Sequence, residues 1–213
     1  MLVVGLDTSE SPGGVALLDE TGLAAERALP EGLRHAEHLL STLDALLDAC
    51  GRTREEIGRL CVNLGPGSFT GLRIGLSAAK GMAQARKAEL VGVDGTLAYR
   101  ERAGDEPRVC VILASRRDLV YARWFSGAHP RTDTVMLRDA ELATKLRLDR
   151  RPLCLVGSAA QRVASQIGGE GGAFLGPEQA LAPSALAVAR MGAGLRAARL
   201  HEIEPIYVEP ILA

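Results

Sequence analysis

Aromatic side chains are scarce: Trp, Tyr and Phe make up 3% of the 213 residues. Single strands are commonly held by stacking bases on aromatic rings, so a stacking platform is not expected. Neither sign of charge is in excess, with 25 Lys and Arg against 26 Asp and Glu and a net charge of −1. A broad basic surface that binds nucleic acid unaided is therefore not expected, although RNA as the substrate of a larger assembly is compatible. The four cysteines, Cys50, Cys61, Cys110 and Cys154, stand far apart in apolar settings and never in C-x-x-C spacing. That excludes a disulfide framework or a zinc ribbon and fits buried thiols in a reduced compartment. No apolar run reaches the roughly 20 residues of a membrane-spanning helix. No basic segment precedes the first apolar run, so a cytoplasmic protein without membrane association is expected.

What the chain does have is 47% hydrophobic residues, enough for one sizeable core or two lobes of about 100 residues. Leu2–Leu6, Val15–Leu18 and Leu23–Leu29 read as a three-strand meander, with Asp19-Glu20-Thr21-Gly22 as a turn. Leu33–Cys50 reads as an amphipathic helix with Ala36, Leu39, Leu40, Leu43, Leu46, Leu47 and Cys50 on one stripe, and Gly51 ends it. Leu60–Leu64 is a strand, Leu76–Ala85 lies in a helix, Leu90–Val93 is a strand and Thr96–Ala103 a short helix. Gly104-Asp105-Glu106-Pro107 is the best linker. The second half repeats this order: strands at Val109–Leu113, Leu119–Phe125 and Thr134–Leu137, a helix at Arg138–Arg147, a strand at Leu153–Gly157, a helix at Ala159–Ile167 and a strand at Ala173–Leu175. Pro183–Leu200 reads as a last helix before an extended, proline-bearing tail.

Meander strands followed by crossover helices imply mixed sheets flanked by helices. Two copies imply an α/β protein of two duplicated RNase H-like lobes, 1–104 and 105–213, with a cleft between them. The second lobe is expected to carry the C-terminal helix and tail. This element order is similar to that of the actin-like ATPase and sugar-kinase superfamily, an analogy of layout and not of activity.

The most distinctive stretch is Gly65-Pro66-Gly67-Ser68-Phe69-Thr70-Gly71-Leu72-Arg73-Ile74-Gly75. It lies between a strand and a helix, so Gly65 and Gly67 read as a tight turn and Ser68 or Thr70 as a helix cap. Free amides at a helix start also favour anions. Neither the phosphate-loop Lys-Ser/Thr ending nor three dinucleotide-type glycines is matched, so a structural turn and an anion site both stay open. Asp7-Thr8-Ser9 at the end of the first strand is read likewise, as a hairpin turn or a phosphate- or metal-proximal group. Further along, Gly71, Gly75, Ala79 and Ala83 recur every four residues. Two glycines inside a helix cost roughly 1 kcal/mol each relative to alanine. Such a face implies close approach of another backbone, and a second helix is expected on it, in this chain or in another. Leu72, Leu76 and Met82 would form its apolar rim.

Other candidates are weaker. His35-Ala36-Glu37-His38 places two histidines three apart on a helix, but His38 projects nearly opposite the apolar stripe, and a metal would need further ligands. A solvated helix start is the better reading. Gly-Pro-Gly-Ser-Phe-Thr-Gly is not the Gly-x-Ser-x-Gly elbow, and no His is paired with Ser68. Arg116-Arg117 reads as a solvated turn in preference to an anion contact.

Leu6-Asp7-Thr8-Ser9, His35-Ala36-Glu37 and above all the glycine stretch resemble the TsaB (YeaZ) family. The likeness is close across the first lobe; in the second it rests on element order and on Arg116, Val120 and Tyr121. It implies a non-catalytic subunit in formation of threonylcarbamoyladenosine next to the tRNA anticodon. Catalysis then belongs to the metal-binding paralogue TsaD, which the chain would bind through its first lobe and keep active together with the ATPase TsaE. The chain is further expected to be a homodimer when alone and to meet tRNA only through the complex. It would have no cofactor of its own, with nucleotide a possibility at the TsaD junction. Three departures stand out. His35 and His38 are not the four-residue pair of the metal motif. Ala114-Ser115-Arg116 stands where relatives carry Asp-Ala-Arg, and Glu209 stands where Arg is usual. The competing class is an enzyme: a glycoprotease-type metallopeptidase, or an actin-like ATP-dependent phosphotransferase.

Overall fold

The computed structural model describes residues 1–30 and 35–209, without the side chains of residues 35–36. Its first sheet contains β1 (Leu2–Asp7), β2 (Gly14–Leu18), β3 (Ala24–Ala28), β4 (Ile57–Asn63) and β5 (Glu89–Val93), in the order β3-β2-β1-β4-β5. β1–β2 and β2–β3 pair antiparallel; β1–β4 and β4–β5 pair parallel. The parallel connections run through α1 (His35–Ala49) and α2 (Phe69–Arg86). α1 sets Leu39, Leu43, Leu46 and Leu47 into the core against Leu6, Leu17 and Leu60. Leu40, expected on that stripe, is instead 43% exposed.

The second sheet is the same arrangement built again. Its strands are β6 (Arg108–Ala114), β7 (Leu119–Ser126), the two-residue β8 (His129–Pro130), β9 (Val135–Arg138), β10 (Leu153–Val156) and β11 (Ala173–Leu175). The order is β11-β10-β6-β7-β8, with β9 also on β7. α4 (Asp139–Leu148) and α5 (Ala160–Ile167) follow β9 and β10, so the two sheets share connectivity as well as strand order. Between them, α3 (Gly95–Arg102) precedes β6.

The division of the chain differs from 1–104 and 105–213. One compact unit is Met1–Ala98 with Pro183–Ile206; the other is Tyr99–Ala182 with the chain from Tyr207 on. The cause is α6 (Ala185–Ala193), which covers the first sheet. A Cβ on Gly5 would strike the backbone carbonyl of Ala185, and one on Gly192 would strike the Cys61 thiol. Bare contact points of this kind let helix and sheet approach closely. Both ends of α6 are then fixed by the same sheet. On β3, the Glu26 carboxylate accepts from Ser184 Oγ at 3.0 Å and from the Leu186 amide at 3.2 Å. On β4, Arg59 donates to the carbonyls of Gly192, Ala193 and Leu195 at 3.0, 2.7 and 3.1 Å. Acid at the helix start and base at its end complement the helix dipole. The helix was expected to run to Leu200, but it stops where Arg59 takes its last carbonyls and Gly194 follows.

The expected linker at 104–107 is also tied down. Arg100, only 7% exposed, donates to the carbonyls of Gly104, Glu106 and Gly127 at 2.9, 2.9 and 2.7 Å. A buried guanidinium each of whose three nitrogens finds a carbonyl holds the segment inside the second unit.

Candidate functional site

The glycine turn and the end of β1 meet, and several of their polar atoms bond to one another. Asp7, Thr8 and Ser9 are buried. Asp7 Oδ1 accepts from the Ser9 amide at 3.0 Å and from Ser9 Oγ at 2.7 Å. Asp7 Oδ2 accepts from Asn63 Nδ2 at 3.0 Å, and Asn63 Nδ2 also reaches Ser9 Oγ at 3.0 Å. Three amides of the turn and helix start already have acceptors. Gly65 N donates to Asn63 Oδ1 at 2.8 Å, Ser68 N to the Ser9 carbonyl at 2.7 Å, and Gly71 N to Ser68 Oγ at 3.2 Å, the helix cap. Gly65 has φ 105°, a conformation that favours glycine. A Cβ on Gly67 would come within 2.5 Å of the Ser9 carbonyl. The six candidates Asp7, Thr8, Ser9, Gly65, Gly67 and Ser68 therefore form a lock between a strand end and a helix start. Asn63 belongs to it and was missed. Its signal was a lone amide in the apolar run Leu60–Leu64, which if buried must find partners.

The stripe of small residues is turned inward, which corrects its reading as an interface with a second helix. Thr8 Oγ1 donates to the Gly71 carbonyl at 2.8 Å. A Cβ on Gly71 would strike the Thr8 carbonyl, and one on Gly75 would strike Thr8 Oγ1. Farther along α2, Ala79 and Ala83 join the sheet core, at 0% and 2% exposure. Leu72 and Leu76 are buried too, and Met82 is half-buried against the same core. The backbone that comes close is the chain's own β1 end.

Among the described residues, the outer face of α2 is the more exposed one. Successive helix residues turn by about 100°, so Phe69, Arg73 and Ser77 point away from the glycine stripe. With Thr70, Ile74 and Ala78, and with Leu39 and Leu40 of α1, they line a groove of about 510 Å³. Phe69 is 54% exposed, and the Arg73 guanidinium lies 3.8 Å from its ring centroid. An apolar floor with exposed aromatic and aliphatic rims can take a partner's side chains.

Of the histidine motif, His38 is half-buried on α1, and the side chain of His35 lies outside the described residues. Among the described residues no group of three His, Cys, Asp or Glu is placed to hold a metal. No helix of the described residues is long and apolar enough to cross a membrane. Burial pushes the Cys61 thiol up to about 12 and that of Cys154 up to about 11, and it raises Cys110 as well. None of these three is a nucleophile near neutral pH.

The chain has an α/β fold of two mixed sheets flanked by helices, and solved structures of low identity share that fold. EutJ, the ethanolamine utilization protein of Carboxydothermus hydrogenoformans, is one neighbour: TM-score 0.58, 12% identity, 90% of each chain covered. YeaZ from Pseudomonas aeruginosa superposes with a TM-score of 0.79 over 97% of this chain and 99% of that one, at 24% identity. The tRNA threonylcarbamoyladenosine biosynthesis protein TsaB of Bacillus subtilis (strain 168) is 27% identical over 98% of this chain and 94% of its own length. The model of the tRNA N6-adenosine threonylcarbamoyltransferase (TsaD) family matches residues 30–136, half of the chain. The chain belongs to that family, as a TsaB (YeaZ) member.

Proposed function

We propose that this chain is a non-catalytic subunit of the machinery that forms threonylcarbamoyladenosine in tRNA, docking the catalytic paralogue TsaD on the α1–α2 face. The carrying observation is the groove between those helices, with Leu40 and Phe69 exposed beside the buried Leu39. The family supports the pathway. In this reading TsaE joins the complex, the chain forms a homodimer when TsaD is absent, and tRNA is met as the substrate of the assembly in the cytoplasm. The chain carries no cofactor of its own, and nucleotide is left to the junction with TsaD. The enzyme alternatives need a histidine pair four residues apart, or a phosphate clamp; here the amides of Gly65, Ser68 and Gly71 already donate to Asn63, Ser9 and Ser68.

Leu40→Asp tests the docking face. An exposed position accepts the charge without loss of fold, whereas a covered groove does not. Co-elution with TsaD of the same organism should be lost in the variant and retained by wild type. Wild type that fails to co-elute, or a variant that co-elutes equally, overturns the reading.

A further inference from the structure

We infer that the second unit carries a contact for an RNA phosphate backbone, built from Arg116, Arg117, Arg138 and Arg162. It rests on the place in tRNA modification proposed above. The four come from three stretches and converge on one turn. Arg116 and Arg117 lie between β6 and β7. Arg138 ends β9 and pairs with Leu119 across the β7–β9 ladder. The Asp139 amide donates to the Asp118 carbonyl at 2.8 Å, drawing the start of α4 to the same turn. Arg162 comes from α5, with its guanidinium 3.5 Å from the carbonyls of both Arg117 and Leu119. Arg117 has φ 54°, a left-handed conformation uncommon outside glycine.

The result is a recess of about 430 Å³ lined by Arg116, Arg117, Asp118, Leu119 and Arg138. Its compensation is partial. Asp118 stands 3.7 Å from Arg138, and Asp139 stands 3.3 Å from Arg162. No acid pairs with Arg116 or Arg117 among the described residues. All four arginines are exposed. The balanced total charge thus hides a local excess of one sign. Leu119, half-buried, is the apolar side chain of the recess, so the anchor that a protein partner needs is small. Guanidinium forks take phosphate and carboxylate oxygens alike two at a time, so the preference for a phosphodiester chain over an acidic peptide rests on the small apolar anchor and on the proposed place in tRNA modification.

The probe is an unmodified tRNA transcript that reads codons beginning with A. Fluorescence anisotropy would follow its binding to the full chain, alone and mixed with TsaD, from about 50 to 200 mM salt. Against wild type stand R116Q/R117Q, R138Q and the charge-keeping R116K/R117K. The expected result is roughly tenfold weaker binding by R116Q/R117Q and a salt slope shallower by about 2, with substantial recovery in R116K/R117K. R138Q should lose a smaller factor, because Asp118 already engages Arg138. Unchanged affinity and slope in R116Q/R117Q, or no binding by wild type at the lowest salt, overturns the inference. Displacement by polyglutamate as effective as by RNA at equal charge assigns the recess to an acidic protein instead and also overturns it. Co-elution of the same variants with TsaD separates the two readings. Failure of wild type to co-elute sinks the proposed function, whereas intact co-elution with unchanged tRNA binding sinks the RNA contact alone.

Discussion

Asp149 shows how single residues carry the second unit. Its carboxylate accepts from the Arg151 amide and guanidinium at 3.0 and 3.2 Å and from Arg108 at 2.5 Å. Hydrogen bonds from Arg151 and then Arg108 hold it well below the usual carboxylate range. A depressed carboxylate stabilises the fold above its unfolded pKa of about 4, and that contribution fades as pH falls through the lower folded value. Asp149→Asn should therefore lower stability near pH 7 and flatten its decline below about pH 4 in urea melts taken across pH. An unchanged pH profile would show that the pair with Arg108 and Arg151 does not form in solution. Thiols give a second check. Cys61, Cys110 and Cys154 are buried and Cys50 is half-buried. Alkylation at mildly alkaline pH should modify Cys50 first and the other three only on unfolding, a pattern that peptide mass mapping reads directly.

At the scale of elements, α2 is a two-faced helix, and each face makes its own prediction. Gly75→Leu would drive a side chain into Thr8 at the end of β1. The cost should be at least about 3 kcal/mol, since overpacking against a strand end cannot relax cheaply. Urea denaturation checks this, and a stable, soluble Gly75→Leu protein would show that the stripe is not core. The same reasoning applies to the clamp on α6. Arg59→Ala strips three helix-end carbonyls of a charged donor and should cost about 2 kcal/mol, with faster hydrogen exchange confined to 185–198. Element order, crossover helices and the duplicated plan were legible because apolar runs and their spacing report period and burial. The direction of the small stripe was not. A Gly-x-x-x-Gly-x-x-x-Ala face states that something comes close, but sequence distance does not say whether that backbone is Thr8, sixty-odd positions away, or another molecule. Nor did periodicity separate Leu40 from Leu39 and Leu43, because the boundary of an apolar stripe is set by how α2 lies beside α1. The turn lock was half visible. Asp7, Ser9 and the glycines stood out, whereas Asn63 drew no notice inside its apolar run.

For the whole molecule, two copies of one sheet plan have been put to different uses. In the first unit, the turn that follows β4 is closed by Asp7, Ser9 and Asn63, which stiffens α2 and presents its outer face. A rigid face loses little side-chain and backbone freedom on binding, and more of the contact energy is realised as affinity. The second unit keeps the sheet and gathers arginines at the β6–β7 turn. Its placement in the other unit from α6 means that truncation after Ala182 should not yield a stable first unit, since β1, β2 and β4 would lose the helix that covers them. Expression of residues 1–182 is expected to give aggregated or protease-sensitive protein, and a compact, cooperative melt would contradict that division of the chain.

The most direct measurement is the mass, by light scattering after gel filtration, of TsaD mixed with wild type and with Leu40→Asp. Wild type should elute with TsaD as a heterodimer or a multiple of it, and Leu40→Asp should elute apart while keeping the wild-type circular dichroism spectrum. Equal association of both chains with TsaD, or of neither, would contradict docking on the α1–α2 face.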